Sequence, residues 1–457
     1  MLQFFRKNDP YRLIFVFLIL IAIRVTWIVI GLPVSTLELK LLLLGERLGN
    51  GFLMYSETYD YTGPLAAMVY KWLNFLFGSS RWVHVIFSTL LIILQAGILN
   101  GILLRNKAFD ENNYLPAFLY VILMSSTMDF FVLSPQLMSL TFVIMSLNQI
   151  FRRIDNVVTD ELFLYAGVYT GLATFFYLPS IVYFLAFLLS FLIFSSAIFR
   201  RLVIFIYGFL MIFLVIAAYY YWFDSLSDLW QMCIVGGIVK PKTFFITADQ
   251  FFMLGSVLAG VLLIALSVFF TSRFTNFQQN MMRVMLLFLF AAGWAAIFAP
   301  ELSPAELLFF VPPLAFFLTH YFLALRKRLF RAIMPTLIFV ALLVYPSYII
   351  RFMPEFEVKR DNTEHTGSKL MVLGDDLTYY LGNEIASPFI DEYSSLKKLE
   401  GLDYFNQAAK LYNVLQTSDP DVIIDEWGQL PRIFERFPAI EMKYRKSSSK
   451  EYRKINS

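Results

Sequence analysis

Residues 38–80 read ELKLLLLGERLGNGFLMYSETYDYTGPLAAMVYKWLNFLFGSS, and they follow a first apolar run that is long enough to cross a membrane. The stretch opens with the acidic residue Glu38 and runs through a polar and aromatic turn at 55–64. It then continues into a segment that predicts an amphipathic helix ending at 76–80. Carboxylates crowded at a bilayer surface are costly unless they bind or react with something. The sequence therefore predicts that any chemistry of this chain lies in this loop.

The composition predicts a polytopic α-helical membrane protein. The chain is 58% hydrophobic and 16% charged, whereas ordinary soluble domains carry about 25% charged residues. Its mean hydropathy is +0.65. Apolar runs of about 20 residues recur along most of the chain, and each is long enough to span a bilayer. They predict about eleven spans, at 11–32, 82–104, 114–131, 134–151, 162–178, 180–199, 202–222, 251–271, 281–299, 304–324 and 330–350. No small-residue cleavage site closes the first run, so we expect no signal peptide.

The distribution of Lys and Arg predicts the orientation, because cytoplasmic loops carry an excess of both. Counting the loops alternately assigns one side Arg6, Lys7, Arg12, Arg105, Lys107, Arg152, Arg153, Arg200, Arg201, Arg273, Arg283, Arg326, Lys327, Arg328 and Arg331. The other side holds Lys40, Arg47, Lys71, Arg81, Lys240 and Lys242. We therefore expect a cytoplasmic N-terminus, with the loop 33–81 and the residues after 351 outside. The net charge of +3 mostly reflects this bias and does not indicate nucleic acid.

The composition changes near Arg351, and residues 352–457 are polar with no apolar run of membrane length. Short apolar stretches there predict strands at 369–373 and 421–425, helices at 399–417 and 429–437, and a hairpin of 440–444 with 451–455. The sequence thus predicts a transmembrane domain at 1–351 and a small periplasmic α/β domain at 352–457. We expect the Lys-, Arg- and Ser-rich tail from Tyr444 onward to fray.

The first external loop also carries a family pattern. Residues 59–65 read YDYTGPL and residues 76–78 read LFG, and an acidic residue precedes both. This order resembles the first external loop of GT-C glycosyltransferases, in the branch of the protein O-mannosyltransferases and lipid A aminoarabinose transferases. That branch has an early Asp, a Tyr-Asp-His-Pro-Pro-Leu turn and a Leu-Phe-Gly helix end. Here Glu38 replaces the Asp and Tyr-Thr-Gly-Pro replaces the His-Pro-Pro core. The resemblance covers roughly residues 10–200.

The resemblance implies a GT-C fold in a bacterial inner membrane. It implies transfer of a sugar from a polyprenyl-phosphate-linked donor to a lipid, glycan or protein acceptor at the outer, periplasmic face. It also implies two key carboxylates, one after the first span and one after the third, which correspond to Glu38 and Asp129. A base must take the acceptor proton as the bond from C1 to the phosphate oxygen breaks, and partial burial raises a carboxylate pKa toward the working pH. The alternative interpretation is that both acids only mark helix ends.

The aromatic turn supplies further candidates for substrate binding, namely Glu57, Asp60 and Tyr61. Asp60 matches the Asp of the family turn, so it could orient the acceptor, or it could cap the following helix. Arg24 lies mid-span, where a charged group pairs within the bundle, binds a ligand or snorkels to the interface.

Several charged residues are expected near the outer ends of the spans. Lys240 and Lys242 belong to a predicted external loop at 223–250. They could hold the donor phosphate, or this loop could simply be solvated. Arg351 could serve the same purpose at the end of the last span. Glu301 clusters with Glu306 at the predicted outer face, beside prolines that could open space for a lipid tail.

Cysteine and histidine usage limits the cofactors. Cys233 is the only cysteine, so no intramolecular disulfide can form, and we interpret it as a small apolar residue. The three histidines, at 84, 320 and 365, cannot build a Cys/His metal site. A divalent cation on Glu38, Asp129 or Asp60 is compatible with the sequence, but nothing demands it.

Two other classes of protein remain open. The chain could be a non-catalytic component of an envelope or secretion complex that keeps a GT-C-like scaffold. It could also be a transporter of lipids or solutes, but such transporters usually have internal repeats, and we find none. Besides these substrates and partners, we expect contacts with membrane lipids.

Overall fold

The computed structural model describes residues 2–7, 9–31, 34–154, 159–194, 199–245, 247–271, 273–325, 327–352 and 367–455. Its α-helices are α1 (Leu2–Phe5), α2 (Arg12–Ile30), α3 (Thr36–Gly49), α4 (Pro64–Phe77), α5 (Arg81–Arg105), α6 (Leu115–Leu123), α7 (Pro135–Ile154), α8 (Asp160–Phe176), α9 (Ile181–Phe194), α10 (Phe199–Trp222), α11 (Leu226–Asp228), α12 (Gly237–Val239), α13 (Ala248–Leu266), α14 (Val268–Thr271), α15 (Asn276–Phe298), α16 (Val311–Ala324), α17 (Arg328–Phe352), α18 (Glu392–Glu400), α19 (Phe405–Ser418), α20 (Leu430–Arg436) and α21 (Pro438–Glu441).

The strands are β1 (Thr243–Phe244), β2 (Glu301–Leu302), β3 (Lys369–Leu373), β4 (Glu384–Ile385), β5 (Val422–Asp425), β6 (Tyr444–Lys446) and β7 (Glu451–Lys454). Turns of 3₁₀-helix lie at Met128–Phe131, Leu178–Ser180, Pro304–Phe310, Leu377–Tyr380 and Gly401–Asp403. A π-helix lies at Leu229–Gly236, within the segment 223–250 that the sequence predicts as a loop.

A helix lies at every predicted span, but not every one can cross a bilayer unaided. By length and composition, six described helical segments can: Arg12–Val29, Arg81–Arg105, Phe199–Trp222, Ala248–Phe270, Asn276–Phe298 and Pro304–Ala324. The predicted span at 114–131 contains α6, which has only 9 residues, followed by a 3₁₀ turn. A helix needs about 20 residues to cross the hydrocarbon core. The count of about eleven spans therefore stays a prediction.

The chain divides into two compact units. Unit 1 comprises Met1–Pro33, Trp82–Ile216 and Lys242–Phe356. Unit 2 comprises Val34–Arg81, Ala217–Pro241 and Glu357–Ser457. Unit 2 thus collects the segment predicted as the first external loop, the segment 217–241 and the C-terminal residues, although these are far apart in the sequence.

Unit 1 is a helical bundle with one very close helix crossing. A Cβ atom at Gly167 of α8 would lie 2.0 Å from the carbonyl oxygen of Phe205 in α10. A Cβ atom at Gly208 of α10 would lie 2.5 Å from the carbonyl oxygen of Leu164 in α8. Small residues at such crossings let helix backbones approach in a membrane. The two glycines therefore set the distance between α8 and α10.

The C-terminal part of unit 2 is a five-stranded sheet with the order β4-β3-β5-β7-β6. β3 pairs in parallel with both β4 and β5, whereas β7 is antiparallel to β5 and β6. The strands predicted at 369–373 and 421–425 are β3 and β5. The prediction that the tail frays from Tyr444 is wrong, because β6 and β7 pair there and Tyr452 packs edge-on against Phe434, with ring centroids 5.5 Å apart.

The core of this sheet includes a residue of the first external loop. Tyr59 is 1% exposed and belongs to the same apolar cluster as Met371, Leu373 and Ile423. Its amide donates to the carbonyl of Pro388 at 2.7 Å, and its ring centroid lies 5.7 Å from that of Phe389. The aromatic turn is therefore part of the α/β core of unit 2.

Candidate active site

Two neighbouring helices, α3 and α4, build the segment that the sequence predicts as the first external loop. Ser35 caps α3 by accepting from the amide of Glu38 at 3.2 Å, and Pro64 begins α4, where its missing N–H is not needed. Gly45 and Gly49 face α4 closely, since a Cβ at Gly49 would lie 2.1 Å from Asn74 Oδ1. The predicted amphipathic helix after the turn is confirmed as α4.

Glu38 is a buried carboxylate in the first turn of α3. It is 3% exposed, and its Oε1 accepts from Arg81 Nε at 2.6 Å. Burial raises the pKa of Glu38 above 4.5, and the Arg81 charge and hydrogen bond oppose that shift. The site thus holds a carboxylate whose pKa lies nearer neutrality than usual, paired with a cation that favours its ionised form.

Asp60 is fully buried and forms an ion pair with Lys40, with Nζ 2.9 Å from Oδ1. Its other oxygen accepts from the hydroxyl of Thr62 at 2.5 Å and from the amide of Thr62 at 3.3 Å. The helix-capping interpretation of Asp60 is wrong, because the N-cap of α4 is Gly63 and receives no side-chain hydrogen bond.

Tyr61 lies against two lysines. The Nζ atoms of Lys40 and Lys240 are 4.5 Å and 4.3 Å from its ring centroid, in the geometry of a cation–π contact. Lys240 also forms a short ion pair with Asp391, and both side chains are almost completely buried. The solvated-loop interpretation of Lys240 is therefore wrong.

We call Lys40, Asp60, Tyr61, Lys240 and Asp391 the lysine–aspartate cluster. Burial raises the pKa of Asp391, but Lys240 and Lys40 lower it more, so it ends below its ordinary value of 3.8. The cluster thus places Lys40 beside Asp60 and Lys240 beside Asp391 in a site with little water.

Glu57 has a local structural role in the turn. Its Oε2 accepts from the amide of Leu53 at 2.7 Å. The same turn holds Tyr55 at φ 70°, in the left-handed region that non-glycine residues rarely adopt, with its hydroxyl donating to the carbonyl of Thr62 at 2.6 Å. The turn is therefore fixed by several internal hydrogen bonds.

Unit 1 contains the second predicted carboxylate. Asp129 lies in the 3₁₀ turn Met128–Phe131 between α6 and α7 and is 4% exposed. Glu306, in the 3₁₀ segment before α16, is also buried, and its Oε1 accepts from Tyr177 at 2.6 Å and Gln136 at 2.8 Å. Glu301 belongs to β2 and pairs in register with Thr243 of β1.

Two cations of unit 1 contact backbone carbonyls. Lys242 is exposed and donates to the carbonyls of Ala296 and Ile297 at 3.2 Å, so it caps the C-terminal end of α15. Arg24 is 3% exposed and donates to Ser88 and Thr89 at 2.8 Å. Arg24 also donates to main-chain oxygens of α5 and of the 3₁₀ turn Met128–Phe131. The snorkelling interpretation of Arg24 is wrong, because its partners lie inside the bundle.

Solved structures match this chain over 98% of its length, which includes residues of both units. ArnT from Cupriavidus metallidurans, in a structure bound to undecaprenyl phosphate, matches with a TM-score of 0.56 and 12% identity over 98% of this chain and 99% of that one. The apo oligosaccharyltransferase of Archaeoglobus fulgidus matches with a TM-score of 0.50 and 13% identity over 98% and 75%. Both are GT-C glycosyltransferases. The chain has the GT-C fold.

At these identities the similarity concerns the fold alone. Neither a scan against protein-family models nor a search of the curated proteins gives a match. The GT-C fold predicted from the sequence is confirmed, and with its apolar helices it describes a multi-pass membrane protein. The residue assignments within that fold rest on the geometry of this chain.

Glu38 and Asp60 are not arranged as a divalent-cation site in the described part of the chain. Among the described residues no three His, Cys, Asp or Glu side chains come together as a metal site. Glu38 faces Arg81 and Asp60 faces Lys40, so both carboxylates already have a cationic partner. No step of the mechanism is therefore assigned to a metal.

The remaining residues singled out in the sequence are two histidines, the cysteine and Arg351. His320 packs between the rings of Phe109 and Phe316, with centroids 4.6 Å and 4.7 Å away, as expected of a structural histidine. Cys233 is buried. The Arg351 side chain and His365 lie outside the described residues.

Sequence reasoning missed three charged residues of this site, namely Arg81, Lys40 and Asp391. One feature of the sequence could have indicated Arg81 and Lys40, because both belong to the small set of cations on the predicted outer side. Asp391 carried none, since it reaches Lys240 from 151 residues further along the chain.

Proposed function

We propose that this protein is an integral membrane glycosyltransferase that moves a sugar from a polyprenyl-phosphate-linked donor to an envelope acceptor at the periplasmic face. The observation that carries the proposal is Glu38, a buried carboxylate with a raised pKa in the first external loop of a GT-C fold. The related ArnT structure contains undecaprenyl phosphate, which supports a polyprenyl-phosphate carrier as the donor class.

In this mechanism Glu38 acts as the general base. It takes the proton of the acceptor nucleophile while that atom attacks C1 of the sugar, and the C1–O bond breaks so that the electron pair leaves with the lipid phosphate. Arg81 holds Glu38 in the ionised form that can accept a proton. Asp129 is the second carboxylate of the proposal.

The donor phosphate needs cationic partners. Lys240 is the leading candidate, with Lys242 and Arg351 as further candidates. A phosphate could replace Asp391 as the partner of Lys240, because both are compact anions with several acceptor oxygens. We propose that Asp60, Glu57 and Tyr61 shape the acceptor side, with Arg24 and Glu301 supporting the surrounding bundle.

A transfer assay tests the proposal. Membranes that contain the protein are supplied with radiolabelled sugars on undecaprenyl phosphate and with lipid, glycan and protein acceptors, and Glu38→Gln is compared with wild type. We expect Glu38→Gln to remove at least about 99% of transfer, since general acid–base catalysis contributes about 100-fold or more. Glu161→Gln is the matched control, because Glu161 is an exposed glutamate at the start of α8. Unchanged transfer by Glu38→Gln would refute the role of Glu38.

One observation favours a second candidate function, that of a non-catalytic GT-C component of an envelope or secretion complex. Three buried carboxylates of unit 2, Glu38, Asp60 and Asp391, each have a cationic partner, as in a site kept for structure. Absence of transfer with the whole donor panel, together with co-purification of an envelope protein in stoichiometric amount, would support this candidate instead.

A further inference from the structure

A groove of about 570 Å³ opens on the side of unit 1, between α2, α5, α7 and α8. Its floor is the face of α5 that carries Gly97 and Gly101, one helical turn apart. No atom lies within 4 Å of the position that a Cβ would take at either glycine. The groove is therefore open space rather than a packed helix crossing.

The two ends of the groove differ in polarity. Along Gly97 and Gly101 the walls are apolar, with Leu13, Ile93 and Met145 among the lining side chains. The other end, one turn beyond Gly101, is lined by Arg105, Asn148 and Gln149. Eight residues separate Gly97 from Arg105, so the apolar floor extends for about 12 Å before the polar end.

The polar end has hydrogen-bonding capacity that the described residues do not use. Gln149 is 5% exposed, and its Oε1 has no hydrogen-bond partner, which is costly for a buried polar atom. Arg105 is exposed and forms no ion pair with any residue in the described part of the chain. An anionic occupant of the groove would therefore give Arg105 a partner.

We propose that this groove binds one anionic glycerophospholipid. An acyl chain lies over Gly97 and Gly101, and the phosphate pairs with Arg105. The proposal is independent of the sugar donor, because Arg105 lies at the end of α5 that the distribution of Lys and Arg assigns to the cytoplasm, opposite the first external loop.

A transmembrane helix of a second copy fits the groove less well. Glycines separated by four residues do admit a partner helix in membranes. An apolar helix, however, would leave Arg105 without an anion. The charge at this end of the groove therefore favours a lipid with a phosphate.

Native mass spectrometry of the delipidated full-length protein tests the proposal, with dioleoyl phosphatidylglycerol as the probe. In wild type we expect one phosphatidylglycerol to bind at least about tenfold more tightly than dioleoylglycerol, which has the same chains and no phosphate. Gly101→Leu should abolish this tight binding of phosphatidylglycerol, because the leucine side chain fills the groove. Arg105→Gln should weaken the binding of phosphatidylglycerol about tenfold, because it removes a charge-assisted hydrogen bond.

Matched controls are available in the same bundle. Gly260→Leu also places a side chain in open space within a candidate span, and Arg283→Gln removes another exposed arginine on the predicted cytoplasmic side. Both should bind phosphatidylglycerol like wild type. Equal binding of the two lipids, or tight binding that survives Gly101→Leu, would overturn the proposal. A dimer that Gly101→Leu converts to a monomer without a change in lipid binding would assign the groove to a second copy.

Discussion

The lysines and aspartates of the lysine–aspartate cluster are buried, and each lies beside a residue of opposite charge. The side chain of Asp391 is 4% exposed and that of Lys240 is 1% exposed, so neither can recruit water if its partner is lost. Breaking a buried pair by removing one partner is far more damaging than the net stability of the pair suggests, because an uncompensated charge remains.

Asp391→Asn should therefore destabilise the protein by about 3–5 kcal/mol, since it leaves Lys240 buried beside a neutral amide. Thermal melting in detergent would measure the loss. Because the folded pKa of Asp391 lies below 3.8, its contribution is present above that pH and is lost as the pH falls through the folded pKa. The difference between variant and wild type should therefore shrink below pH 3.8. Asp403→Asn, at an exposed carboxylate, should melt like wild type.

Arg81→Gln should shift the acid limb of the pH–rate profile for sugar transfer to higher pH. Arg81 opposes the effect of burial on the pKa of Glu38, so its removal raises that pKa and leaves less ionised base at a given pH. Lys71→Gln, which removes another cation of the first external loop, should leave the limb in place. An acid limb that does not move in Arg81→Gln would show that Glu38 is not the group that titrates.

The sequence predicted single acids better than their partners. Glu38 and Asp60 stand out because a carboxylate beside an apolar run is energetically costly unless it has a partner or binds a ligand. The partner of Lys240 comes from a separate part of the chain, and no local pattern of spacing or polarity marks such a pairing. The lysine–aspartate cluster could thus be described only from the structure.

At the scale of elements, the α8–α10 crossing depends on two glycines. The atoms that a new Cβ would meet at Gly167 and Gly208 are backbone carbonyl oxygens, which cannot rotate away as a side chain can. A methyl group at either position must push the two helices apart.

Gly208→Ala should therefore destabilise unit 1 by about 1–3 kcal/mol, the range for overpacking a close contact. Gly293→Ala should be neutral or stabilising, since nothing lies within 4 Å of its Cβ position and alanine favours helix by about 1 kcal/mol over glycine. The melting temperature should fall for Gly208→Ala and should stay the same or rise for Gly293→Ala. An equal shift for both would contradict the close crossing.

Long apolar helices were predictable from the sequence, whereas the irregular helix at Leu229–Gly236 was not. α2, α5, α10 and α15 follow the predicted spans to within a few residues, because a long run of apolar residues is an unambiguous signal. The π-helix Leu229–Gly236 lies where the sequence predicts a loop, since its backbone pattern has no distinct residue signature.

At the scale of the molecule, the orientation is the prediction with the widest consequences, and the single cysteine makes it simple to test. In a Cys233→Ala background, we expect Ser448→Cys to react with a membrane-impermeant maleimide in intact cells. Lys107→Cys should react only after the membrane is permeabilised, because α5 ends on the predicted cytoplasmic side. Both positions are exposed in the structure. The reverse labelling pattern would show that the protein has the opposite orientation in the membrane.

The composition predicts a break near residue 351, but it does not predict which segments associate. Unit 2 joins the loop 34–81 and the segment 217–241 with the C-terminal residues, although membrane-length helices intervene in the sequence. Hydropathy along the chain reports what enters a bilayer and carries no information on which outer segments meet.

The place of Tyr59 in the core of the C-terminal sheet has a consequence for synthesis. At about 5–20 residues per second, a ribosome needs about 15–65 s to go from Tyr59 to its neighbour Phe389. The aromatic turn therefore waits for its core partners until almost the whole chain has been translated. A chain that terminates early can insert its helices and still lack the core that holds the aromatic turn. The turn can therefore adopt its final structure only in a chain that has been translated almost completely.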